Sequence, residues 1–242
     1  MKKEARQVRE MFASIAPRYD FLNHLLSFSM DRFWRRAVIH ELAASLPETA
    51  SVLDLCTGTG DLALELASQA RVVGCDFCHP MLVLGRQKVR KNRLEQRIYC
   101  VEGDALNLPF QSHYFDAVTI AFGLRNLEDI RVGLREMFRV LRRGGTLAIL
   151  EFSQPEVFGF KQIYLVYFRY ILPRLGELIS RKKGPYSYLP QSVETFLTPD
   201  DLQEIIEKEG FIGTTKRTLT GGVASLHLAY KPAQEITGRM SC

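Results

Sequence analysis

The sequence predicts an α/β fold: a doubly wound, mostly parallel seven-stranded sheet that ends in an antiparallel hairpin. N-terminal helices precede the sheet, and a helical lid insertion interrupts it late. Three observations predict this. Between residues 51 and 153, short apolar runs alternate with stretches of helical periodicity, and such alternation makes parallel sheets with helices on both faces. The first apolar run, "SVLDLC", opens directly into the glycine turn "GTGDLA", the form a chain takes where a strand end meets a ligand and a helix begins. The last two apolar runs are separated only by Gly221-Gly222, a link that suits a hairpin and not a crossover.

The elements follow in order. Residues 3–14 and 31–44 have helical patterns, with Asp31 as the expected N-cap of the second. Residues 51–56 form a buried strand and 61–69 a helix; 71–77 form the second strand. Residues 80–95 are helical, with Pro80 in the first turn, where a missing N–H costs nothing. Strands are expected at 97–105 and 114–123, then a helix over 128–143 that stops at Gly144-Gly145. The strand "TLAILEFS" spans 146–153, and "PDDLQEIIEKEG" (199–210) is a helix with acids in its first turn and a glycine stop. The hairpin strands are "FIGTTKRTLT" and "VASLHLAYKP".

With 242 residues and no Pro/Gly/Ser-rich linker, the chain is expected to be a single domain over 1–242, with 1–48 as an N-terminal helical segment and 154–198 as the lid insertion. A net charge of +5 suits a mildly basic soluble enzyme and also admits an anionic membrane surface or nucleic acid as a partner. The sequence has no basic stripe interleaved with aromatics, which argues against nucleic acid. The charged start "MKKEARQVREMF" lacks the apolar core of a secretory signal. The odd set Cys56, Cys75, Cys78, Cys100 and Cys242 points to reduced thiols in a cytoplasmic protein. Cys75 and Cys78 make half a zinc site with no second pair, so no metal is expected.

Gly58, Thr59 and Gly60 fit a dinucleotide fingerprint with Ala63 in its third glycine's place. The acid that follows, Asp76, stands 16 residues after Gly60 at the next strand end. There it can accept both ribose hydroxyls of NAD or of S-adenosylmethionine. Asp54, before the glycines, favours a cationic ligand such as a methionyl ammonium and repels a pyrophosphate. Asp104 ends the third strand, where it can accept from an adenine amino group. Three acids at three successive strand ends, closed by a hairpin, favour S-adenosylmethionine.

Four stretches, "VLDLCTGTGDLA", "AFGLRNLEDI", "RVLRRGGTLAILEFSQP" and "PYSYLPQSVETF", together resemble the menaquinone/ubiquinone-biosynthesis C-methyltransferases. These are class I, Rossmann-like S-adenosylmethionine-dependent enzymes. The N-terminal "MFASIAPRYDFLNHLLSFSMDRFWRR" is similar to that family's entry segment, so the likeness runs from about Phe12 to Tyr230. It implies methylation of a ring carbon on a prenylated quinol. "CTGTGD" is closer to the demethylmenaquinol branch; a methoxy-polyprenyl-benzoquinol of the ubiquinone branch is the alternative. The resemblance carries Thr59, Asp76 and the pair Asp104-Ala105 over as cofactor contacts. Ala121 stands where relatives often have Ser. Residues 29–31 are Ser-Met-Asp where the family usually has Gly, a variable residue and His, a departure that bears on how the N-terminal segment closes. Arg143 stands where proline is usual.

Carbon methylation needs a ring hydroxyl that loses its proton, hence a group that stabilises a phenolate-like oxygen. Arg125 and Asn126 in "FGLRN" are the candidates. A guanidinium stays charged, so Arg125 holds the oxyanion or orders a water; the bland alternative pairs it with Glu128 or Asp129. Tyr19, Asp20 and Asn23 in the N-terminal segment, and Tyr188 in "YSYLP", are expected to line the substrate pocket. The aromatic run 158–179 carries Lys161, Arg169 and Pro173, too interrupted to cross a bilayer. It reads either as a core or interface helix or as a lid that receives an isoprenoid tail, with "SRKK" (180–183) facing anionic headgroups on the inner membrane surface. Methylation of another acceptor, an NAD-dependent reductase and a non-catalytic adenosyl-binding module are the rival readings.

Overall fold

The computed structural model describes residues 5–155, 159–174 and 185–234. The strands are β1 (Ser51–Leu55), β2 (Arg71–Asp76), β3 (Ile98–Glu102), β4 (Phe115–Ala121), β5 (Leu141–Phe152), β6 (Ile212–Leu219) and β7 (Ala224–Tyr230). They form one sheet in the order β3-β2-β1-β4-β5-β7-β6. Pairing is parallel from β3 through β5, and β7 runs antiparallel to both β5 and β6. The order reverses between β1 and β4, so a crevice opens beyond their carboxyl ends, where ligands of such sheets bind.

The helices are α1 (Ala5–Ile15), α2 (Tyr19–Leu26), α3 (Met30–Ala43), α4 (Asp61–Leu66), α5 (His79–Lys91), α6 (Ile130–Val140), α7 (Phe160–Val166), α8 (Pro185–Glu194) and α9 (Pro199–Lys208). Neighbouring strand residues face opposite ways, and both faces are buried. Val52 belongs to a buried cluster with Trp34, Val38 and Leu42 of α3 and Leu62 and Leu66 of α4. Leu53 belongs to a second one with Leu134 and Met137 of α6 and Leu202 and Ile206 of α9. That two-sided burial is why the strands are continuous apolar runs instead of alternating ones. Each fully buried leucine contributes about 1.5–3 kcal/mol relative to exposure.

Four expectations need correction. The helix expected over 128–143 ends at Val140, and the chain is extended from Leu141. Leu141 is fully buried and pairs with Phe115, and Arg142 forms an ion pair with Asp116. A helix through Arg143 would forfeit both. Gly144-Gly145 serve the bulge in β5: Gly144 has φ +73°, and a Cβ on Gly145 would sit 2.9 Å from the Arg142 carbonyl. Next, Asp31 is not a cap but lies inside α3, buried. It accepts from Ser27 Oγ at 2.8 Å and Arg35 Nη1 at 2.8 Å, and His24 Nδ1 lies 2.6 Å away. The strand expected over 97–105 stops at Glu102, so Asp104 and Ala105 lie in the loop beyond it. Finally, α2 and α8 were not expected as separate helices; α8 even contains Pro190.

The lid is partly described. Helix α7 runs into a π turn over Tyr167–Ile171. "SRKK" (180–183) lies outside the described residues.

Candidate active site

The glycine turn after β1 is built from left-handed residues: Cys56 (φ +55°), Gly58 (φ +57°) and Gly60 (φ +81°). A second left-handed non-glycine residue, Phe122 (φ +58°), follows β4 beside it. The two strand ends approach so closely that a Cβ on Gly123 would sit 2.5 Å from Cys56 Cβ. Only glycine fits there. Backbone strain of about 1–3 kcal/mol per non-glycine residue is thus held at the switch point of the sheet.

Carboxylates brace this turn. Asp54 is buried and accepts from Thr57 Oγ1 at 2.5 Å and Thr119 Oγ1 at 2.9 Å. Asp76 accepts the Gly58 N–H and the Cys78 N–H, both at 2.8 Å. Burial pushes each carboxyl up to about 6. Both therefore favour any ligand that brings positive charge or hydroxyl donors. Asp104 is exposed and accepts the Leu106 N–H at 2.9 Å, which orders the loop around buried Ala105. The neighbouring thiols are inert: Cys75 and Cys78 are buried and free, and burial pushes Cys75 up to about 12.

Two adjoining cavities meet at the turn. The smaller, about 100 Å³, lies over Asp76, Phe77, Gly103, Asp104, Ala105 and Asn126. The larger, about 400 Å³, is mostly apolar and reaches Asp54, Asn23, Arg125, Tyr164 and Tyr188. Tyr19, Cys56, Gly58, Ala121 and Phe122 border both. The small cavity offers acids and a backbone cradle to an adenosine, and the large one offers Asp54 to a cationic tail. The donor set therefore fits S-adenosylmethionine.

Arg125 stands at the floor of the larger cavity. Its Nη1 is 2.7 Å from Glu151 Oε1 and also donates to the Phe122 carbonyl; its Nε lies 3.4 Å from Ser192 Oγ. Glu151, fully buried at the end of β5, also accepts the backbone N–H groups of Arg125 and Phe152. Asn126 accepts the Tyr188 hydroxyl at 2.8 Å, tying the "FGLRN" turn to α8.

Two anticipated site residues border neither cavity. Gly60 shapes the turn, and Asp20 is held by Lys88 Nζ at 2.5 Å and Thr59 Oγ1 at 2.5 Å. That pair, with Asp61 on the same lysine at 2.6 Å, clips α2 onto the glycine turn. Thr57, Thr119, Glu151 and Tyr164 were missed. Glu151 had a signal, as the one charge in the apolar run "TLAILEF"; the others had none. Ser29 is left-handed at φ +60°, a conformation that glycine adopts without steric cost.

The sheet order, the glycine turn at its switch point and the acids at successive strand ends define the class I methyltransferase architecture. A solved S-adenosylmethionine-dependent methyltransferase from Aquifex aeolicus shares that fold, with a TM-score of 0.60 at 20% identity, covering 81% of this chain and 88% of its own. The family model of the ubiE/COQ5 methyltransferase family matches residues 1–231, and the chain belongs to that family. Relatives named demethylmenaquinone methyltransferase include those of Deinococcus radiodurans, 48% identical over 94% of both chains, and Thermus thermophilus, 48% identical over 92% of this chain and 100% of its own. The protein is an S-adenosylmethionine-dependent methyltransferase.

Proposed function

We propose that this enzyme methylates the ring carbon of a prenylated naphthoquinol, converting demethylmenaquinol to menaquinol. The observation that carries the reading is the large, mostly apolar cavity, which meets the donor pocket across Tyr19, Ala121 and Phe122 and is lined by Arg125, itself paired with buried Glu151.

S-Adenosylmethionine supplies an electrophilic methyl group on a sulfonium. Asp76 takes the ribose hydroxyls, the loop of Asp104 and Ala105 flanks adenine, and Asp54 with Thr57 and Thr119 attracts the methionyl ammonium. The aromatic walls formed by Tyr19, Phe122 and Phe152 exclude water and align the quinol ring, which is where most of the rate gain arises when charge is lost in the transition state. Arg125, fixed by Glu151, lowers the cost of the phenolate oxygen that makes the ring carbon nucleophilic. Asn126 and Tyr188 hold the turn that carries it.

The quinol is taken from a lipid surface. Phe21, Leu25 and Phe28 lie at helical spacing on the outer face of α2 and the turn after it, all exposed, and Phe33 follows on α3. Phe28 packs on Tyr167 at the cavity mouth, with ring centroids 5.5 Å apart, beside exposed Tyr170 and Ile171. Exposed Arg32 and Arg36 complement anionic headgroups. No helix among the described residues is long and apolar enough to cross a membrane.

The test is methyl transfer to reduced demethylmenaquinone and to the reduced ubiquinone precursor in parallel. The account expects turnover of the naphthoquinol, and inactivity toward it overturns the reading. Flotation with anionic liposomes tests the surface: wild type should float, and Phe21→Asp/Phe28→Asp should not. Failure of wild type to float at low salt contradicts it.

A further inference from the structure

Four tyrosines line the large cavity: Tyr19, Tyr164, Tyr167 and Tyr188. The protein satisfies three of their hydroxyls. Tyr19 is hydrogen-bonded to the Asn23 side chain, Tyr167 donates to the Leu26 carbonyl at 2.7 Å, and Tyr188 donates to Asn126 Oδ1 at 2.8 Å. Tyr164 differs. The residue is 9% exposed, and its hydroxyl is buried with no hydrogen-bond partner among the described residues. Its ring is fixed by stacking on Phe168, centroids 4.9 Å apart and planes 21° apart. A phenol held rigidly and left unsatisfied is costly to fold, and nothing in the packing of α7 demands the hydroxyl rather than phenylalanine.

We propose that the Tyr164 hydroxyl is a substrate-binding group that donates a hydrogen bond to a ring oxygen of the quinol. The inference rests on the quinol reading of the cavity and names a contact that reading does not require. Arg125 is close enough to act electrostatically on Tyr164, so both address the same polar head in a mostly apolar chamber. Burial raises the phenol above its usual range, which keeps the proton on it. Tyr164 therefore donates to the oxygen and is not the base that deprotonates it. A site built to hydrogen-bond an oxygen also rejects a hydrocarbon of the same shape, because the phenol is then left unpaired.

The variant is Tyr164→Phe, which removes only the oxygen. Its melting temperature should equal or exceed that of wild type; a clear drop would mean that the hydroxyl has a structural partner and would overturn the proposal. Binding is read by thermal shift on the whole enzyme with S-adenosylhomocysteine present, under anaerobic conditions, using menadiol and methylnaphthalene. Wild type should prefer the diol, and Tyr164→Phe should lose about tenfold or more of that preference while binding the hydrocarbon as well as wild type. An unchanged preference overturns the proposal. Because this readout needs no turnover, it separates from the function itself. Loss of the preference in an enzyme that fails to methylate demethylmenaquinol would retain the contact and reject the reaction.

Discussion

The Arg125–Glu151 pair yields the sharpest prediction, because stability and catalysis separate there. The Arg125 side chain retains 6% of its accessible surface and that of Glu151 none, so this is a buried pair and not a surface one. Removing one partner of a buried pair costs about 3–5 kcal/mol, since an uncompensated charge remains. Arg125→Met leaves the buried Glu151 carboxylate facing a methionine, with its paired cation gone. For a chain of this size each kcal/mol moves the melting temperature by about 2–4 °C, so a fall of roughly 10 °C is expected. The double variant Arg125→Met/Glu151→Gln removes both charges and keeps an amide oxygen for the N–H groups that Glu151 accepts. It should recover most of the lost stability. Turnover should fall at least about a hundredfold in both, the scale for losing an oxyanion-stabilising donor. Binding of S-adenosylhomocysteine should stay within a few-fold. Calorimetric melting and a methyl-transfer assay on the three proteins decide it. If single and double variants melt together, the pair does not carry that energy. If the double variant turns over normally, Arg125 is not catalytic.

Other outcomes follow from the same geometry. Asp54 and Asp76 are raised from 3.8 to about 6 in the folded chain, so the native state holds protons that the unfolded state has released. Their contribution to ligand-free stability therefore falls as pH rises from about 4 to about 6, and melting across that range should show it. A cationic donor favours the ionised forms. Its binding near pH 6 should release protons, seen as a buffer-dependent binding enthalpy that Asp54→Asn diminishes; a buffer-independent enthalpy contradicts the assignment. Ser29→Gly relieves a left-handed residue and should stabilise the fold by about 1 kcal/mol in denaturant titration; destabilisation would refute this. Asp20→Ala unclips α2 from Lys88 and Thr59 and should speed release of S-adenosylhomocysteine several-fold with little change in melting. An unchanged off-rate would show that the clip does not gate the pocket.

The sheet was legible in the sequence because strands buried on both faces leave uninterrupted apolar runs, and the glycine turn and hairpin left their own marks. Its boundaries were less so. The end of α6 was misread because Leu141 and Arg142 fit a helix locally, and only their partners Phe115 and Asp116 on β4 pull them into the sheet. Asp31 looked like a cap because His24 and Ser27 reach it only after α2 folds back on α3, whereas its pairing with Arg35 is local to α3, four residues on. At the cavities, charged residues at strand ends announced themselves: Asp54, Asp76 and Arg125 were anticipated from the sequence and border the two cavities. Thr57, Thr119 and Tyr164 were invisible because hydroxyls at such positions are common, and their importance lies in what surrounds them. Asp20 was anticipated on the pocket from its place in the N-terminal segment, but it is held by Lys88 and Thr59 and borders neither cavity.

The most direct measurement is a crystal structure with S-adenosylhomocysteine and a short-tailed naphthoquinol. The account predicts adenosine over Asp76 and Asp104, the sulfur beside Tyr19 and Ala121, and the quinol ring between that sulfur and Arg125. Adenosine bound elsewhere, or a ring that never approaches the sulfur, would contradict it.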